Sequence, residues 1–111
     1  MTTRELIEKL NLKPLVKFEH REITGVFVSD MLSDVMAGAK SGNLWVTVQT
    51  HKSIVPAGNL VDVSAIIITS KKEVPQETID LAEKHDIGIL SSELPTFELV
   101  GKLYGLGLVT R

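Results

Sequence analysis

Ala65-Ile66-Ile67-Ile68-Thr69 is a β-branched run with no alternation of polar and apolar residues. A strand with one face in water alternates with a period of two, so an unbroken apolar run belongs to a strand covered on both faces. It is therefore expected at the centre of a mainly parallel sheet with helices on both sides. The neighbouring segments fit this. Val26-Phe27-Val28, Leu44-Trp45-Val46-Thr47-Val48 and Ile87-Gly88-Ile89-Leu90 give three more short apolar strands. A helical pattern follows each strand. The first carries Met31, Leu32, Val35, Met36 and Ala39 and is closed by Gly42-Asn43. The second runs from Ile54 to Val61, weakened by Pro56 and Gly58. A third opens at Pro75, turns Ile79 and Ala82 inward, and ends near Lys84-His85. The last spans Pro95 to Gly105, with Phe97, Val100, Leu103 and Tyr104 read as its inner face and Gly105 and Gly107 at its end. Four strand-then-helix units predict a single α/β domain of three layers, with a sheet of four to five strands.

The N-terminal residues add a helix. Thr2 and Glu5 have capping-box spacing, and Leu6, Ile7 and Leu10 share a helical face. Pro14 is expected to end this helix, and Leu15-Val16-Lys17-Phe18 to form a short strand before the polar loop Glu19-His20-Arg21-Glu22. The predicted organisation is residues 1–21 as a helix and strand packed on the domain, residues 22–107 as the α/β domain itself, and residues 108–111 as a tail.

Composition narrows the function. In 111 residues, hydrophobic side chains reach 43% but aromatics only 5%, so the core is aliphatic. Cysteine is absent, which removes disulfides, thiolate-bound zinc or iron–sulfur centres, and a cysteine nucleophile. Net charge is −2 and Lys71-Lys72 is the only adjacent basic pair, a poor footprint for nucleic acid or an anionic membrane. There is no signal-peptide core and no apolar run of spanning length, so a cytoplasmic protein is expected.

Chemistry is sought at the carboxyl ends of the strands, where parallel sheets collect ligands. The predicted exits are Ser29-Asp30, Thr50-His51, Thr69-Ser70 and Ser91-Ser92, all hydroxyl-bearing or ionisable. The competing explanation is helix capping, which selects the same residue types. The candidate ligand-binding residues are Ser29, Asp30, Thr50, His51, Ser70, Ser91 and Ser92. His51 is the one histidine at an exit, suited to binding an anion or moving a proton. Asp30 and Asp34 lie one turn apart but lack further ligands at metal spacing, so no metal site is expected. Phosphate-loop, dinucleotide and nucleophile-elbow motifs are missing. No catalytic residues and no cofactor are assigned.

Three blocks in order carry a resemblance. They are Ser29-Asp30-Met31-Leu32-Ser33-Asp34-Val35-Met36-Ala37, then Leu44-Trp45-Val46-Thr47-Val48-Gln49-Thr50-His51, then Ile87-Gly88-Ile89-Leu90-Ser91-Ser92 with Thr96-Phe97-Glu98 and Gly101-Lys102-Leu103-Tyr104. Together they resemble the DRTGG domain family in its stand-alone form, over about residues 22 to 107. The five-letter motif of the name is absent, Asp30 being its nearest counterpart, and Ser53, Pro56 and Pro95 depart from the family pattern. The resemblance implies a compact, non-catalytic α/β domain of regulatory type that binds a ligand or forms homodimers. Such domains also occur in phosphotransacetylases and between the CBS domains of regulatory pyrophosphatases, and stand-alone members are encoded beside hydrogenase and sensor-kinase-like genes.

The leading expectation is thus a homodimeric regulatory module for a small anionic or nucleotide-like ligand. A second reading is an accessory subunit of a hydrogenase-linked redox or signalling complex. A third is a small phosphate- or acyl-transfer enzyme built on His51 and Asp30. Leu6-Ile7-Leu10, Leu106-Leu108-Val109 and the Met31/Met36 helix carry more aliphatic surface than a four-strand core needs, which points to self-association.

Overall fold

Five strands join in one sheet in the order β1-β5-β4-β3-β2. The computed structural model describes residues 1–111. The strands are β1 (Lys13–Pro14), β2 (Gly25–Val28), β3 (Asn43–Thr47), β4 (Ala65–Ile68) and β5 (Ile89–Ser91). The helices are α1 (Thr3–Leu10), α2 (Leu32–Gly38), α3 (Ile54–Val61), α4 (Gln76–Lys84) and α5 (Thr96–Gly105). Strands β2 to β5 are parallel and β1 is antiparallel to β5. The isoleucine strand β4 is central and fully buried, as its unbroken run requires.

Strand pleating divides the core in two. Trp45, Ile66, Ile68 and Ile89 pack with Val35 of α2, Val55 of α3 and Ala82 of α4. Leu44, Val46, Ile67 and Leu90 pack with Leu6 of α1 and with Leu99 and Leu103 of α5. The layering follows from topology. Each crossover from β2 to β5 steps the same way along the sheet, and right-handed crossovers then place α2, α3 and α4 on one face. After β5 the chain crosses to the other face as α5, beside α1.

Some local expectations are corrected. The first strand is Lys13–Pro14 rather than Leu15–Phe18. Pro14 sits on an edge strand, where its missing donor costs little, and Leu15 N donates to Ile89 O at 2.8 Å as the chain turns inward. Helix α2 stops at Gly38, before Gly42. Gly42 instead has φ +81° at the entrance to β3, where a Cβ would lie 2.6 Å from the Thr24 methyl. Helix α3 runs from Ile54 to Val61 despite Pro56 and Gly58. Pro56 is its third residue, where the N–H has no intrahelical acceptor. Gly58 lets α3 approach the sheet, since a Cβ there would meet Val63 at 3.2 Å and Ile66 at 3.3 Å. In α5 the inner face is Leu99 and Leu103; Phe97 and Tyr104 point outward, 85% and 71% exposed. Much of the expected aliphatic surplus is used internally, for Leu6 is fully buried and Ile7, Leu10 and Leu108 pack on the second core cluster.

Candidate functional site

The residues expected at the strand exits separate into two corners. At the β2–β3 corner, Asp30 does not cap α2, whose N-cap is Met31. Its carboxylate instead accepts from Thr47 Oγ1 at 2.8 Å and from Val48 N at 2.9 Å, and its carbonyl accepts from Gln49 Nε2 at 3.0 Å. Asp30 therefore ties the exit of β2 to the exit of β3. Ser29 Oγ accepts from Met31 N, and the Ser29 carbonyl accepts from buried Trp45 Nε1 at 2.8 Å. His51 is exposed, and its Nδ1 accepts from Ser53 N at 3.1 Å in the turn before α3. Thr50 contributes its carbonyl, which accepts from buried Thr78 Oγ1 of α4. Side-chain and backbone groups here together brace the rim.

The β4–β5 corner is built differently. The chain leaves β4 toward α4 on one face and leaves β5 toward α5 on the other, and such a divergence is where open α/β sheets form a crevice. Two backbone bonds join the diverging loops, Ser70 N to Leu94 O at 2.8 Å and Lys71 N to Ser92 O at 2.9 Å. The hydroxyls of Thr69 and Thr96 meet at 2.7 Å between them. Ser70 and Lys71 both take left-handed conformations, at φ 65° and 52°, which non-glycine residues adopt only when their surroundings hold them there. Ser92 is buried, and its Oγ accepts from Leu94 N.

Beside these loops opens the largest cleft of the molecule, about 750 Å³. Its walls come from the α1–β1 segment, the β4–α4 loop, the β5–α5 loop and α5. Ser91 and Ser92 line it, together with Lys13, Lys71, Lys72, Lys102 and Glu93. Four lysines face one glutamate, a surplus of three positive charges in a chain whose net charge is −2. Only Lys71 approaches an acidic partner, with Nζ 3.9 Å from Glu93 Oε1. Of these cations the sequence displayed only the adjacent pair Lys71-Lys72. Lys13 and Lys102 are distant in the chain, and it is the antiparallel pairing of Lys13 with Ser91 that brings β1 alongside.

No helix is long and apolar enough to cross a membrane. No family model and no curated protein matches the chain. Among solved structures it is similar to the CBS and DRTGG domains of the regulatory region of a Clostridium perfringens pyrophosphatase, complexed with the activator diadenosine tetraphosphate. The TM-score is 0.69 at 17% identity, over 97% of this chain and 47% of that one, so the chain spans about half the length of that structure. At this identity the likeness concerns fold, and the chain adopts a DRTGG-like α/β fold.

Proposed function

We propose that this DRTGG-like domain is a non-catalytic regulatory module that takes a small anionic, nucleotide-like ligand at the carboxyl end of its sheet and works as a homodimer. One observation carries the ligand reading: the largest cleft lies at the exit of β5, where the chain changes faces, and it is ringed by lysines. Ser70, Ser91 and Ser92 belong to that corner. Ser29, Asp30, Thr50 and His51 stand along the same rim, where their polar groups hold the exits of β2 and β3 in place. The fold shared with a regulatory region crystallised with a nucleotide activator supports the same reading.

Ligand linkage tests it. A ligand at a hundred times its Kd stabilises the folded state by about 2.7 kcal/mol, which for a domain of this size raises Tm on the order of 10 °C. Titration of adenine nucleotides and acyl phosphates is expected to give such a rise with at least one of them, without turnover. A flat Tm across the panel overturns the ligand reading. The exposed aromatic face of α5 favours a second reading, an accessory subunit with another protein seated there. A stoichiometric partner co-purifying from the native host would support that alternative.

A further inference from the structure

We propose that the lysine-ringed cleft recognises a chain of linked phosphate groups, and that such a ligand fastens the N-terminal segment to the rest of the sheet. The proposal rests on the reading above and specifies the ligand's chemistry and its consequence.

The charge pattern comes first. Lys13, Lys71, Lys72 and Lys102 surround one concavity, and the fold uses none of them in a close ion pair. Like charges gathered in a concavity repel one another and focus a positive potential into it, which raises the local concentration of anions. Ammonium groups on flexible stems act as mobile point charges that suit phosphate oxygens without demanding one fixed geometry. A single carboxylate would answer one or two of them. A linear tri- or tetraphosphate carries enough charge to answer all four and to outcompete Glu93. The volume, about 750 Å³, lies within the usual range for small-ligand sites.

The second element is where the cations come from. Lys71 and Lys72 sit on a loop bonded to the β5–α5 loop, and Lys102 sits on α5. Lys13 belongs to β1, a strand of two residues that completes the sheet edge. Short edge pairings open at lower free energy than central strands. A phosphate chain spanning Lys13 and Lys71-Lys72 therefore links the shortest strand to the hydrogen-bonded loops. Binding and β1 docking become coupled, each favouring the other.

The test titrates inorganic tripolyphosphate into the full chain by calorimetry and follows amide hydrogen exchange with and without it. Binding is expected for the wild type, weakening steeply with salt, with slower exchange at the Leu15 amide, which donates to Ile89 O across the sheet edge. The exposed double variant Lys71→Ala/Lys72→Ala and the single variant Lys13→Ala are each expected to weaken binding at least tenfold, and Glu93→Gln to strengthen it severalfold. Affinity unchanged within twofold in both lysine variants overturns the cleft. Binding without slower exchange at Leu15 overturns the fastening of β1. If tripolyphosphate is inert while a nucleotide or acyl phosphate still raises Tm, the phosphate-chain site falls and the ligand reading stands. If nothing binds, both fall.

Discussion

Asp62 closes α3 in a left-handed conformation, φ 61°, and turns its carboxylate toward Arg21. The guanidinium donates to both carboxylate oxygens, at 2.8 and 3.1 Å, and also to Val63 O, while Ser41 donates its hydroxyl to the same carboxylate. Arg21 and then Ser41 hold the Asp62 carboxyl below the ordinary aspartate range. A depressed folded-state pKa stabilises the fold above the unfolded value, and that contribution disappears as pH falls through the folded value. The side chain is 57% exposed, so solvent screening limits the pair to at most about 1 kcal/mol. Asp62→Asn is expected to lose that amount at pH 7 and to show a shallower loss of stability than wild type below about pH 4. Urea denaturation of both proteins at pH 7 and pH 3 measures it; identical pH slopes would remove the role. Nothing local in the sequence marks this pair, because its partners lie 41 residues apart. The same holds for Lys13 and Lys102, which only the folded sheet gathers beside Lys71-Lys72. Asp30 was visible at a strand exit, but its bonds to Thr47 and Val48 depend on a register that residue type alone does not reveal.

At the scale of elements, periodicity located the strands and helices well where packing and local propensity agree. Helix α1 is such a case. Thr2 and Glu5 form the complete capping box, and Leu6, with no exposed surface, is the residue by which the helix enters the second core cluster. Elements were harder to read where one contact overrides propensity. Pro56 and Gly58 argue against a helix on average, yet the first falls in the initial turn and the second fits beneath Val63 and Ile66. Pro14 argues against a strand, yet it lies at a sheet edge. Helix α1 also anchors the segment that carries Lys13 of the proposed cleft. Leu6→Ala is expected to cost about 2–5 kcal/mol by transfer loss and cavity formation. Chemical denaturation reads that loss, and a cost below about 1 kcal/mol would mean that α1 is not integral to the cooperative unit.

At the scale of the molecule, the aliphatic surplus that pointed to self-association divides: Met31, Met36 and Leu106 stay exposed, and much of the rest is used internally. Leu6 is buried and Leu108 packs against the core, and Val109 O accepts from Val26 N along the outer edge of β2. The most exposed aromatics are instead Phe97 and Tyr104 on α5. With 3.6 residues per turn, Phe97, Gly101 and Tyr104 fall within about 60° of one another, opposite buried Leu99 and Leu103. A Cβ on Gly101 or Gly105 would meet nothing, so the helix has an open trough beside two projecting rings. We propose that this face pairs with a second copy of itself. In an antiparallel pair centred on Gly101, Phe97 and Gly105 each lie about 6 Å along the axis from the centre, so each Phe97 ring enters the trough at the partner's Gly105. A standard interface needs about 800 Å² per subunit. The molecule measures 33 × 27 Å along its longer axes, so such a dimer would engage most of the α1–α5 layer, with the mixed charges Arg4, Glu5, Glu8 and Lys9 at its rim. Sedimentation is expected to show a wild-type dimer. Phe97→Glu should weaken it by on the order of a hundredfold, as loss of a central aromatic anchor does. Gly101→Leu separates association from folding: it raises helix propensity and so should preserve or increase Tm, while filling the trough and driving the chain to monomer. A wild-type monomer at high concentration would remove the homodimer altogether. A dimer that survives both variants would move the interface to other exposed apolar side chains, Val28, Met31, Met36 or Leu60.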